Sequence, residues 1–297
     1  MKHLVFMTTL LFLFGAYAED MPPSYFHKPN TIGLKRIEDN SFLLEEAYNQ
    51  EYGVVQFIQG LQYNKKAKSY EYSYANEIPM TDELHQFSYT VPVAHNVKTE
   101  DTHKDGLGDI SLEYRTQWVK RRDEVLAATK FSLFLPTGDY RRGTGAGYAG
   151  FKMNNALTSI LSDYFVMHWN LGMTYYPKSR NAIGDSQDTV SYNYGTSLFY
   201  MYSKNFNIFT EFVTEVTESV NDTTFDDTTG QKTSNRPRTS ITSTNTLNPG
   251  MRWAIDNEDG SQLVPGLSFP MTFATSGNQT QSERSVFLYL SYENKYW

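Results

Sequence analysis

Residues 109–118 read Asp-Ile-Ser-Leu-Glu-Tyr-Arg-Thr-Gln-Trp, and the order of residue types in that stretch decides the fold class. Successive side chains of a strand point to opposite faces. Ile110, Leu112, Tyr114, Thr116 and Trp118 therefore share one face, while Ser111, Glu113, Arg115 and Gln117 share the other. One face suits hydrocarbon and the other suits water or polar neighbours. No sustained 3.6-residue apolar repeat competes with this alternation. The pattern returns at 165–175, where Phe165, Met167, Trp169, Leu171, Met173 and Tyr175 alternate with His168, Asn170, Gly172 and Thr174. It returns again at 247–255, where Leu247, Pro249, Met251, Trp253 and Ile255 alternate with Asn248, Gly250, Arg252 and Ala254.

Extended along the chain, the same test predicts strands at 53–63, 68–76, 84–93, 107–118, 125–136 and 150–158, then at 164–176, 190–201, 206–217, 246–255, 262–273 and 285–297. The predicted fold is all-β: a closed antiparallel transmembrane β-barrel of about twelve strands, an even number and each long enough for a tilted crossing of about 9–11 residues. Links at 120–124, 159–163, 202–205 and 256–261 are short, and those at 94–106, 137–149, 177–189 and 218–245 are long. That sorting is expected when both termini lie in the periplasm. A secreted β-sandwich would alternate too, but it has no reason to sort its loops. Pro92, Pro136, Pro249, Pro265 and Pro270 fall inside or at the ends of these tracts. Lacking a ladder donor, they predict bulges or strand ends.

The two ends agree with this address. Lys2 and His3 precede an apolar run at 4–14, and Ala16-Tyr17-Ala18 follows, which reads as a secretory signal cleaved near Ala18. The run is shorter than the ~20 residues of a spanning helix. At the other end Val286, Leu288, Leu290 and Tyr292 alternate with Phe287, Tyr289, Ser291 and Glu293 before the chain stops at Tyr296-Trp297. Outer-membrane proteins end on such an aromatic. Trp297 falls on the parity of Glu293 and Lys295, which predicts a bulge near Asn294. The chain thus divides into a signal peptide (1–18), a periplasmic leader or plug segment (19–52) with one or two helical turns at 42–48, and an outer-membrane barrel (53–297).

Composition removes several classes of function. The absence of cysteine excludes a disulfide scaffold, a thiolate metal centre and a lipoprotein anchored through Cys. The 22 Tyr and 19 Phe suit the aromatic girdles of a lipid-facing barrel. With 33 acidic against 26 basic residues and a net charge of −7, nucleic acid is not an expected partner.

Parity directs Glu71, Glu113, Arg115, Lys130, Lys152, His168, Asn170, Glu211, Glu215 and Arg252 into the lumen as pathway candidates. Their signs are balanced. Balanced charge fits either a passage for neutral or weakly polar solutes or a salt-bridged filling, and twelve strands lie between filled eight-stranded and open sixteen-stranded barrels. His168 beside Asn170 is the one hint of a general base, but no serine lies two positions on, and a satisfied histidine in a barrel that is not an enzyme is the expectation. Gly138, Gly143, Gly145 and Gly147 lack the following helix of a phosphate cradle and predict a mobile loop. Asp222, Asp226 and Asp227 match no ion-binding spacing. Neither metal nor cofactor is expected.

Four stretches carry a family resemblance: Phe42-Leu43-Leu44-Glu45-Glu46-Ala47-Tyr48-Asn49-Gln50-Glu51, Gly106-Leu107-Gly108-Asp109-Ile110, Leu135-Pro136-Thr137-Gly138-Asp139 and His168-Trp169-Asn170-Leu171-Gly172. In this succession the chain resembles the outer-membrane β-barrel family of transporters labelled "meta-pathway of phenol degradation". The resemblance implies an outer-membrane channel for passive uptake of small apolar or amphipathic compounds, aromatic ones among them, and it brings no catalytic residue. The alternatives are a non-transporting structural or partner-binding barrel and a membrane-embedded hydrolase. Expected partners are outer-membrane lipid, a small-molecule solute, and the barrel-assembly machinery acting on the strand that ends at Trp297.

Overall fold

The computed structural model describes residues 41–80, 84–96, 105–121, 125–222 and 239–296. The predicted signal segment with Ala18, residues 19–40, Asp226, Asp227 and Trp297 lie outside these. Twelve strands follow one another: Val54–Asn64, Ser69–Pro79, His85–Asn96, Ser111–Arg121, Val125–Phe134, Gly150–Ile160, Phe165–Arg180, Ser186–Ser203, Phe206–Val220, Thr239–Trp253, an eleventh in two pieces (Gln262–Ser268 and Met271–Ser276), and Gln279–Lys295. Each is hydrogen-bonded antiparallel to the next. The first pairs with the last from Val54↔Lys295 to Asn64↔Ser285, which closes the barrel. Closure satisfies the backbone groups that lipid cannot. Short pieces at Gly106–Leu107 and Ile255–Asp256 attach to the third and eleventh strands.

The alternating face reads as the sequence predicts. Leu112, Tyr114, Trp118, Leu171, Phe212, Leu247, Leu288 and Leu290 are exposed on the outside, where hydrocarbon covers them. Arg115, His168, Asn170, Glu211 and Arg252 are buried inside. Trp118 is outward by the same alternation, and a register shift between Gln117 and Val119 leaves it without an opposite residue on the fifth strand.

The prolines fall where the ladder is interrupted. Leu247 pairs with Met271 and Gly250 with Ser268, so Pro249 and Pro270 occupy the break between the two pieces of the eleventh strand. Pro265 lies between the Arg252↔Gly266 and Ile255↔Leu263 pairs. Pro92 lies beyond Thr90↔Ser111, where the third strand's ladder to the fourth has stopped. By contrast, the bulge expected near Asn294 does not occur. Pairs advance one for one through Val55↔Asn294, and Glu293 is also held by Gln262 on its other side, so no residue is spare to loop out.

The strands differ in length in a way the link pattern did not predict. The first six are 10–12 residues long, whereas the seventh to tenth and the last run to 16, 18, 15, 15 and 17. The expected long link at 177–189 is therefore a tight turn at 181–185, with Asn181 Oδ1 accepting from Asp185 N at 2.8 Å. Only about 9–11 residues are needed to cross the membrane, so this half of the wall stands above it as a paired ribbon.

Candidate functional site

The lower half of the lumen is occupied by residues 41–52. No helical turn forms at 42–48. The reason is that wall side chains take the backbone donors a helix would use. Glu211 Oε1 accepts from Phe42 N at 3.1 Å and Leu43 N at 3.2 Å, Thr158 Oγ1 from Ala47 N at 3.1 Å, and Gln86 Oε1 from Gln50 N at 2.8 Å. Asn170 clamps Glu45 at both backbone atoms, accepting from its N at 2.8 Å and donating to its O at 2.7 Å. Above the clamp an amide ladder runs from Asn193 through Asn154 to Asn170, at 3.1 and 3.0 Å. A Cβ at Gly172 would lie 2.4 Å from Asn193 Oδ1, so glycine is what leaves room for that ladder.

Apolar side chains of the segment find seats made by other missing side chains. A Cβ at Gly195 would lie 2.8 Å from Leu44 Cδ2, and one at Gly266 would lie 2.3 Å from Phe42 Cζ. The Phe42 ring stacks on Tyr289 at 4.5 Å and meets Phe209 edge-on at 4.7 Å.

Ion pairs complete the filling. Arg115, 1% exposed, is 3.2 Å from Glu77 and 3.7 Å from Glu45, and its Nε donates to Asn49 at 2.9 Å. Lys130 bridges Glu45 at 2.6 Å and Glu113 at 2.9 Å, and Glu113 also accepts from Ser88 and Ser111. Arg252 reaches Glu46 at 4.0 Å and lies over the Phe199 ring at 4.7 Å. Taking a charge out of water costs several kcal/mol, recovered only when partners and hydrogen bonds are complete. Here Arg115 and Lys130 each have two carboxylate partners, and Arg252 has Glu46 together with Asn207, which accepts from its Nε at 3.2 Å.

Of the predicted lumen residues, Glu113, Arg115, Lys130, His168, Asn170, Glu211 and Arg252 thus converge on the segment. Glu71, Lys152 and Glu215 lie higher and stay outside this network; Glu71 accepts from Asn64 at 2.8 Å. Sequence reasoning missed Glu45, Glu46, Asn49 and Glu77. The signal for the first two was two adjacent acids inside the otherwise apolar run 42–48, and Glu77 was lost because the predicted strand stopped at Asn76.

His168 is fully enclosed. Thr158 Oγ1, which accepts from Ala47 N, is also hydrogen-bonded to His168 Nδ1 at 2.8 Å. The ring's Nε2 faces Glu46 at 3.6 Å. A hydroxyl and a carboxylate flank the ring, but backbone and side chains fill the space a substrate would need.

The upper half is a vestibule of about 1050 Å³. The loop at 135–149 folds into its mouth and is pinned rather than loose. Asp109 accepts from Gly138 N at 2.9 Å and from Ala146 N at 2.8 Å. A Cβ at Gly145 would lie 2.5 Å from Asp109 Oδ1, so the loop closes down onto that carboxylate only with glycine there. Within it Tyr140–Arg142 form a short 3-10 turn. The Arg141 side chain, by hydrogen bond and charge, holds the half-exposed Tyr140 phenol below its ordinary range.

A family model described as "Putative MetA-pathway of phenol degradation" matches residues 41–288. Among solved structures, the chain is similar to an outer-membrane channel from Pseudomonas putida F1 at 11% identity and a TM-score of 0.59, with 84% of this chain and 97% of that chain covered. The NanC porin matches at 10% identity and 0.49, covering 79% and 98%. The CymD monoaromatic hydrocarbon channel matches at 8% and 0.36, covering 83% and 89%. At these identities the likeness is one of fold. No curated protein matches the sequence.

Proposed function

We propose, from the premise that this chain belongs to the family described by that phenol-degradation model, that it is an outer-membrane channel for passive entry of small apolar or amphipathic compounds, aromatic ones among them. The observation that carries this reading is the division of the lumen. An outer vestibule of about 1050 Å³ opens above a lower half filled by one segment, 41–52. That segment is held by side-chain contacts and belongs to no strand. It can therefore act as a plug that leaves without unravelling the wall, and a solute resting in the vestibule passes when it does. Purified protein in liposomes should allow swelling by a small neutral solute, and deletion of 41–50 should accelerate it. Equal, negligible swelling of both proteins would count against the channel.

A second reading is a barrel that does not transport. It is favoured by the burial of the lower network, in which Arg115 and Arg252 are each 1% exposed. The deletion separates the two, since a purely structural filling predicts loss of folding instead of faster swelling. A hydrolase has no support in the enclosed His168 site.

A further inference from the structure

The vestibule carries chemistry that the lower lumen does not. Arg180 ends the seventh strand, and its backbone N donates to Ala146 O at 2.9 Å, so the inward loop fixes its position. Its guanidinium carbon lies 5.2 Å from the Tyr140 ring centroid and 5.1 Å from that of Tyr148. Among the described residues no carboxylate ion-pairs with it, whereas Arg142 is 3.6 Å from Asp139.

The acids on the cavity wall are occupied elsewhere. Both Asp109 oxygens hold the loop backbone. Glu218 accepts from Val190 N at 2.9 Å and Thr239 Oγ1 at 2.7 Å, and Glu71 accepts from Asn64. A guanidinium flanked by rings keeps its N–H groups in its own plane, the direction from which a carboxylate accepts two parallel hydrogen bonds. Phe134, Tyr176 and Phe287 line the same cavity and present apolar surface to whatever that carboxylate is attached to.

We propose that the vestibule is a binding site for small aromatic monocarboxylates, with the carboxylate on Arg180 and the ring against the aromatic lining. The proposal rests on the channel reading and narrows its solute class from apolar or amphipathic compounds to amphipathic aromatic anions. The cavity is at the upper end of small-molecule sites, roughly 300–1,000 Å³, so a one-ring acid enters with some of its water.

The test uses the full mature chain in detergent micelles and fluorine NMR line broadening of two isosteric probes, 4-fluorobenzoate and 4-fluorobenzyl alcohol. Heat-modifiable gel mobility confirms that each variant is a folded barrel. The acid should bind at least about tenfold more tightly than the alcohol. Arg180→Gln should erase that difference, and Arg180→Lys, which keeps the charge and loses the fork, should retain part of it. Should Arg180→Gln fail to fold, Arg180→Lys carries the test. Equal binding of acid and alcohol, or wild-type acid binding by the variants, overturns the site. Liposome swelling with arabinose is scored separately. Swelling without acid preference rejects the site and leaves the channel, whereas acid preference without swelling rejects the channel and leaves the site.

Discussion

Lys130 Nζ stands 2.6 Å from Glu45 Oε1, so a wall strand is ion-paired directly to the segment that crosses the lumen. The same ammonium is 2.9 Å from Glu113. Glu45→Gln leaves Lys130 one carboxylate and removes a charge from the segment. Breaking a buried pair costs about 3–5 kcal/mol; the loss should be smaller here because the Glu45 side chain keeps 26% exposure. Hydrogen exchange at the Ala47 and Gln50 amides should quicken while strand amides stay protected. Unchanged exchange at those two amides would refute the link.

Steric displacement offers an independent route to the same segment. At Gly266 an added Cβ meets the tip of the Phe42 ring at 2.3 Å, a flexible side chain that can leave. Gly266→Val should unseat Phe42 at a cost of about 1–3 kcal/mol, typical of overpacking. Limited proteolysis should then clip the chain between 41 and 52 with the barrel intact. A segment as resistant as wild type would show that Phe42 is not what anchors it.

The wall itself can be tested by parity. Leu112→Arg places a cation against lipid near one end of the strand Ser111–Arg121, at a cost below the ~2–4 kcal/mol of the midplane, and should lower the folded fraction seen by heat-modifiable mobility. Lys152→Ser, on the lumen side and outside the ion-pair network, should leave that fraction unchanged. Arg115→Ser belongs with the damaging changes despite facing inward, because Glu77, with 6% side-chain exposure, loses its 3.2 Å partner. Normal folding of Leu112→Arg with failure of Lys152→Ser would mean the faces are inverted.

Asp109 holds the inward loop by two backbone donors. Asp109→Ala strands both; a fully buried donor left unmade costs about 1–3 kcal/mol, and these two are half-buried, so the loss should lie toward the low end. Proteolysis within 138–147 should increase and single-channel current should become noisier as the loop leaves the vestibule. Asp109→Asn, which can still accept at one oxygen, should fall between. A quiet, protease-resistant Asp109→Ala would assign the loop's position to its other contacts.

The barrel was legible because membrane and lumen impose opposite chemistry on alternate residues, so that 109–118 alone names the two faces. Boundaries were less legible where strands continue beyond the membrane, as in Phe165–Arg180 and Ser186–Ser203, since water on both faces removes the alternation. Lumen residues such as Arg115 and Glu211 were readable from parity, but their partners were not. Glu45 and Asn170 are 125 positions apart, and nothing local in 42–48 says that a strand's asparagine will replace its helical hydrogen bonds. Gly195 and Gly266 look like weak strand residues until Leu44 and Phe42 are seen in the space they leave.

The contacts of residues 41–52 also fix an order of events during assembly. Phe42 stacks on Tyr289 of the last strand, and the Gln50 backbone N donates to Gln86 of the third. Its seat therefore does not exist until the newest part of the chain has met the oldest. Pairings so distant in sequence form late, because the entropy of closing the intervening loop must be overcome first. Docking of the segment is then the final step of maturation, and it can happen only in a barrel whose seam between Val54–Asn64 and Gln279–Lys295 has already zipped. A misregistered or unclosed molecule, lacking that seat, would keep its amino-terminal stretch outside and within reach of periplasmic proteases.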